Sequence, residues 1–134
     1  MKLLYIADGR SPTALNWINY FIRAGQEVHL VSTFPCATLV GVTSQHVIPL
    51  AMSNFYGQPD HENNSKLSYL RKLLPVNMRT FIRQLAAPLS FPHATSTLQG
   101  IIDKIQPDLI HAMRIPYEGM ITTEALRQFE HGRN

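Results

Sequence analysis

Cysteine is nearly absent from this chain: Cys36 stands alone among 134 residues. That excludes an internal disulfide and any thiolate cluster for zinc, and it suits a reducing, cytoplasmic setting. No run approaches the roughly 20 apolar residues that a membrane span requires. The opening Met1-Lys2-Leu3-Leu4 resembles a leader only briefly, because Asp8 and Arg10 interrupt the apolar stretch too early. Charge is sparse at 16%, and the surplus of 12 Lys plus Arg over 9 Asp plus Glu is too small to predict a nucleic-acid partner. Several reaction signatures are missing. There is no phosphate loop, no nucleophile elbow and no zinc-protease motif. A dinucleotide fingerprint fails because Ser11 and Ala14 stand where glycines belong. Asp60, His61 and Glu62 crowd one polar stretch, 53–65, with Gly57 and Pro59. Nothing elsewhere is spaced to complete a ligand set, so this stretch reads as a loop and no metal is expected.

What is present is a core. Hydrophobic residues make up 45% of the chain, enough for one buried domain and no more than one. Lys2 to Ala7 is a short and almost continuously apolar run, as expected of a strand covered on both faces. Leu15, Ile18, Phe21 and Ile22 then recur at helical spacing, with Trp17 at the margin, Pro12 or Thr13 at the start and Gly25 just past the end. Glu27 to Ser32 is a second strand, which completes a βαβ unit. His46 to Leu50 reads as a third strand at an edge, because Pro49 cannot donate to a central ladder. The order predicts an α/β fold: a Rossmann-like open parallel sheet flanked by helices.

The middle of the chain carries two apolar helical faces. One is Leu67, Leu70, Leu73 and Leu74; the other is Met78, Phe81, Ile82, Leu85 and Leu89. Pro75 between them predicts two short helices or a kink. A third helix follows through Leu98, Ile101, Ile102 and Ile105, closed by Pro107. Between Glu62 and Asp103 there is no acidic residue, whereas Lys66, Arg71, Lys72, Arg79 and Arg83 interleave with apolar side chains. A basic amphipathic stretch of this kind suits an anionic membrane surface, and equally a solvated helix face. A fourth strand, Asp108 to Ala112, leads into a helix predicted over Tyr117 to Phe129.

In an open parallel sheet, ligands bind beyond the carboxyl ends of the strands, where the winding reverses. Two loops are placed to meet there. The first is Asp8-Gly9-Arg10-Ser11, where Gly9 permits close approach to the backbone and Arg10 and Ser11 offer donors. The second follows the fourth strand: His111, Ala112, Met113, Arg114 and then Ile115-Pro116-Tyr117-Glu118-Gly119. Arg114 can grip a phosphate or carboxylate through its planar fork, or form a structural salt bridge to Glu118 or Asp8. Glu118 can meet a ligand, or complement the dipole of the helix it begins.

Taken in order, these motifs resemble the N-terminal, acceptor-side domain of family 4 glycosyltransferases of the GT-B fold. Many members carry His-Ala-His at the fourth strand, where this chain has His111-Ala112-Met113, so only the first histidine is carried over. The resemblance implies a hexosyl transferase that retains anomeric configuration and needs neither metal nor cofactor, its nucleotide sugar being a co-substrate. It implies a sugar acceptor as partner: a glycan, a lipid-linked sugar or a small molecule. It places His111 in a catalytic role beside acceptor and transferring sugar, with Gly9, Arg10, Ser11, Arg114 and Glu118 binding substrate. It also implies a cytoplasmic enzyme docked on the inner leaflet through Lys66, Arg71, Lys72, Arg79 and Arg83. Such an enzyme holds its donor on a second domain, so 1–134 reads as a partial fold. In a strand order 3-2-1-4-5 the fourth strand then has an open edge that invites self-association. The alternative reading is a non-catalytic Rossmann-like module that binds a nucleotide or a partner protein.

Overall fold

A computed structural model describes residues 1–50 and 76–131. Strand β1 is Lys2–Ala7, helix α1 Pro12–Arg23, β2 Glu27–Ser32, β3 Ser44–Val47, α2 Val76–Ile105, β4 Leu109–Ala112 and α3 Met120–His131. The strands form one sheet in the order β3-β2-β1-β4, and every pairing is parallel. Their register brings the carboxyl ends level: Ala7 lies opposite Ser32, Ser32 opposite Val47, and Ile6 opposite Ala112.

The period-2 geometry of a strand sends alternate side chains to opposite faces, and two separate cores result. On one face Leu3, Tyr5, Val28 and Leu30 pack under Ala14 and Ile18 of α1. On the other, Leu4, Ile6 and Val31 pack under Leu98, Ile102 and Ile105 of α2 and Ile121 and Ala125 of α3. Helices on both sides explain why β1 and β2 are apolar throughout rather than alternating. Because α1 lies on one face and α2 and α3 on the other, the winding reverses between β1 and β4.

Helix α1 begins as its sequence suggests. Pro12 occupies the first turn, Ser11 is the N-cap with extended backbone, and Gly25 follows the helix at φ 73, a left-handed value that glycine adopts freely. The capping hydroxyl is unused, however: Ser11 makes no side-chain capping bond.

Three expectations need correction. Helix α2 is one element of 30 residues from Val76 to Ile105 and runs through Pro88 and Pro92, in place of a separate helix near Leu98. Each proline removes a backbone donor, at about 3 kcal/mol in a helix interior. Burial of Ala94, Leu98, Ile102 and Ile105 against the sheet offsets that cost. The helix ends where Gln106 turns to φ 50, just before Pro107. The third strand is Ser44–Val47 rather than 46–50, since its partner β2 ends at Ser32; Ile48 and Leu50 are buried beyond it. The last helix begins at Met120, not Tyr117, because Ile115–Gly119 forms a wide turn with non-helical backbone at Pro116 and Tyr117.

The loop at 53–65, the leucine face at 67–74, Pro75 and the cations Lys66, Arg71 and Lys72 lie outside the described residues; Arg79 and Arg83 fall within α2. Among the described residues no helix is long and apolar enough to cross a membrane.

Candidate functional site

At the carboxyl end of β1 the chain turns on Asp8. Its carbonyl accepts the Ser11 N–H at 2.9 Å, and its Oδ1 accepts both the Arg10 backbone N–H and Arg10 Nε at 3.0 Å. Oδ2 accepts Arg10 Nη2, also at 3.0 Å. A single carboxylate thus sets the loop and clamps the Arg10 fork beside it. Burial by itself would raise the Asp8 carboxyl. Hydrogen bonds from the Arg10 side chain and backbone, with the charges of Arg10 and Arg114, outweigh burial and hold it below its ordinary value.

Gly9 is buried, and its N–H donates to Ser32 Oγ at 3.0 Å. A Cβ built there would lie 2.5 Å from Cys36 Sγ and 3.0 Å from Ser32 Oγ. The close approach that glycine permits at this position is therefore made by the chain's own Cys36.

The loop after β4 is organised from below by Glu118, whose side chain is fully buried. Its Oε1 accepts the Thr33 hydroxyl at 2.7 Å and Arg114 Nε at 3.0 Å, and it bonds Arg114 Nη2 as well. Arg114 Nη2 also lies 3.4 Å from Thr33 Oγ1. Glu118 Oε2 is buried with no hydrogen-bond partner among the described residues. To aim this side chain inward the backbone takes φ 104 and ψ −70 at Tyr117, a region that costs a non-glycine residue about 1–3 kcal/mol. The turn is closed by the Gly119 N–H on the Arg114 carbonyl at 2.8 Å.

The two loops meet through Arg114, whose Nη1 stands 3.9 Å from Asp8 Oδ2. Phe34, just past β2, sits beneath both arginines, with the Arg10 guanidinium carbon 4.0 Å and that of Arg114 5.7 Å from its ring centre. The result is an alternation of two guanidiniums and two carboxylates across the ends of β1, β2 and β4, with an aromatic floor. Such a site offers fixed donors and acceptors to an oxygen-rich ligand and carries no net charge of its own.

The structure thus brings together Gly9, Arg10, Ser11, Arg114 and Glu118. Within that set Glu118 acts as a buried anchor for Arg114. It lies two residues ahead of α3, in the turn, instead of in the helix's first turn. His111 is placed differently. It is half-buried on the α1 side of the sheet, its ring 5.2 Å from Tyr5 and 6.4 Å from Trp17, outside the Asp8–Arg114–Glu118 network. Thr33 and Phe34 are the members that sequence reasoning missed. The signal was available, since both directly follow β2 and so lie at the same end of the sheet as the two loops. Among the described residues no group of three or more His, Cys, Asp or Glu is arranged to hold a metal ion.

Comparison of the chain with protein-family models, with curated proteins and with solved structures finds no match.

The network makes two predictions. Arg114→Ala leaves the buried Glu118 carboxylate without its cation and should cost about 3–5 kcal/mol in chemical denaturation. Adding Glu118→Gln should recover part of that loss; a cost below about 1 kcal/mol, or no recovery, would contradict a buried carboxylate that depends on Arg114. Asp8 acts on the acid limb. Its pKa is lower folded than unfolded, so its contribution is complete above the ordinary value of 3.8 and is lost as pH falls through the lower folded value. Asp8→Asn should therefore flatten the fall in stability below about pH 4, measured as thermal midpoint against pH.

Proposed function

We propose that this chain is the acceptor-side part of a GT-B glycosyltransferase, moving a sugar from a nucleotide-sugar donor to a glycan, lipid-linked or small-molecule acceptor. One observation carries the reading. The two loops that bear the family resemblance meet through the Arg114–Asp8 ion pair at the point where the parallel sheet reverses its winding, where α/β folds place their ligands.

In this reading Arg10, Ser11, Asp8 and Arg114 form one wall of the cleft. Arginine N–H groups and the uncapped Ser11 hydroxyl donate to acceptor oxygens, and the Asp8 carboxylate accepts from hydroxyls. Thr33 and Glu118 keep Arg114 in place, so the wall is rigid before the acceptor arrives, which is how a positioning domain lowers a barrier. His111 lies on the α1 side at the end of β4, where it would approach the transferring sugar from a different direction than the arginines. The donor is held by a second domain, which in this fold faces the carboxyl ends of the strands. The same reading assigns Lys66, Arg71, Lys72, Arg79 and Arg83 to contact with an anionic membrane surface, where each nearby cation adds about 1 kcal/mol.

The division of labour between two domains is testable on the 134-residue chain by itself. It should transfer no sugar, and calorimetry against a panel of UDP- and GDP-sugars should show no micromolar binding. Micromolar affinity for any of them would place the donor site on this domain and contradict the assignment.

A further inference from the structure

The loop cluster holds two guanidiniums within reach of one carboxylate oxygen. Asp8 Oδ2 lies 3.0 Å from Arg10 Nη2 and 3.9 Å from Arg114 Nη1. Like charges this close repel unless something holds them, and here the holding is done from one side only. Arg10 commits Nε and Nη2 to Asp8, while Arg114 commits Nε and Nη2 to Glu118. The Nη1 group of each arginine keeps both its N–H donors, with no hydrogen bond to either among the described residues. The 3.9 Å separation from Asp8 is too long to be one. Neither side chain is sealed away: Arg10 is 40% and Arg114 43% exposed. Both rest on Phe34, which fixes the planes of the two forks and limits their freedom to turn aside.

Two pre-positioned guanidinium edges, each with free donors, match the geometry of an oxyanion better than that of a neutral hydroxyl, which has only two lone pairs to offer. We infer that the acceptor carries an anionic group, a phosphoryl or a carboxylate, and that this group binds between the Nη1 ends of Arg10 and Arg114. The inference rests on the cleft being the acceptor site and names the chemical class of what enters it. Asp8 is both the organiser of this subsite and its competitor: it clamps Arg10, yet its charge opposes an incoming anion. A ligand oxyanion therefore draws Arg114 Nη1 further from Asp8, while Glu118 and Thr33 retain the other edge of that fork. The Ser11 hydroxyl, unused as a cap, stands at the start of α1 on the same loop and is free to donate to the remainder of the ligand.

The test is calorimetry on the full chain with three probes of similar size: glucose 1-phosphate, glucuronate and methyl glucoside. At least one anionic probe should bind tenfold or more tightly than methyl glucoside, and whichever is tighter identifies phosphoryl or carboxylate as the source. Arg10→Gln should remove most of that advantage, weakening the anionic probe at least fivefold more than it weakens methyl glucoside. Arg114→Gln is made together with Glu118→Gln, so that no buried charge is stranded and folding is preserved, and it should do the same. Asp8→Asn should strengthen anion binding. Sugar binding with no anionic advantage would overturn the inference and leave the acceptor reading standing, as would an advantage that survives both arginine replacements. Silence toward all three probes, with the fold intact by circular dichroism, would contradict the acceptor reading itself.

Discussion

The buried Glu118 carboxylate is the interaction on which the loop cluster at the carboxyl end of the sheet depends. A charge fully removed from water must be paired and hydrogen-bonded, or the chain would expose it. Glu118 is paired by Arg114 and hydrogen-bonded by Thr33, so one oxygen joins the segment after β4 to the segment after β2 across β1. Arg114, fixed on that side, is brought toward Asp8 on the other, and Asp8 in turn fixes Arg10. Strain at Tyr117 is the local cost of turning the side chain inward. A helix running directly out of β4 would avoid that strain, but it would leave Arg114 unsupported and the two loops unconnected.

That arrangement separates two kinds of residue that composition alone makes look equivalent. Arg10 and Arg114 keep exposed edges and face solvent at the end of the sheet, whereas Thr33 and Glu118 act only through Arg114. His111 belongs to neither group. Packed between Tyr5 and Trp17, it extends an aromatic cluster on the α1 face that continues through Phe21 and Tyr20. A single ligand reaching both His111 and the arginines would have to span the edge of β1 and β4, which is where a transferring group and its acceptor would meet in the proposed enzyme.

Much of the fold was legible because strand and helix signals did not conflict. The unbroken apolar run of β1 spans Lys2 to Ala7 as read, and β2 spans Glu27 to Ser32. Pro12 and Gly25 mark the ends of α1 to within two residues. Local rules failed where tertiary packing overrode them. The apolar faces around Leu85 and Leu98 read as separate helices, yet α2 runs through both, and burial of Leu98 and Ile102 offsets the cost of its internal prolines. The candidate site was half legible. Strand ends located Arg10 and Arg114, but nothing local announces that Glu118 points inward, because that depends on a left-handed Tyr117 which sequence disfavours. Gly9 was read as room for a ligand, and the room is filled by Cys36 from a segment 27 positions away, a contact that no short motif can encode.

If the cluster of Asp8, Arg10, Thr33, Arg114 and Glu118 binds a ligand and is not merely a structural knot, its loops should respond when one is added. Backbone and arginine side-chain chemical-shift mapping of the isotope-labelled chain, titrated with an acidic disaccharide, tests it most directly. The largest shifts should fall on Gly9, Arg10, Ser11, Phe34 and Arg114, and the Arg114 side-chain Nε–H, held by Glu118, should stay slow to exchange before and after titration. Shifts confined to the α2 and α3 face of the sheet, with the two loops unmoved, would contradict it.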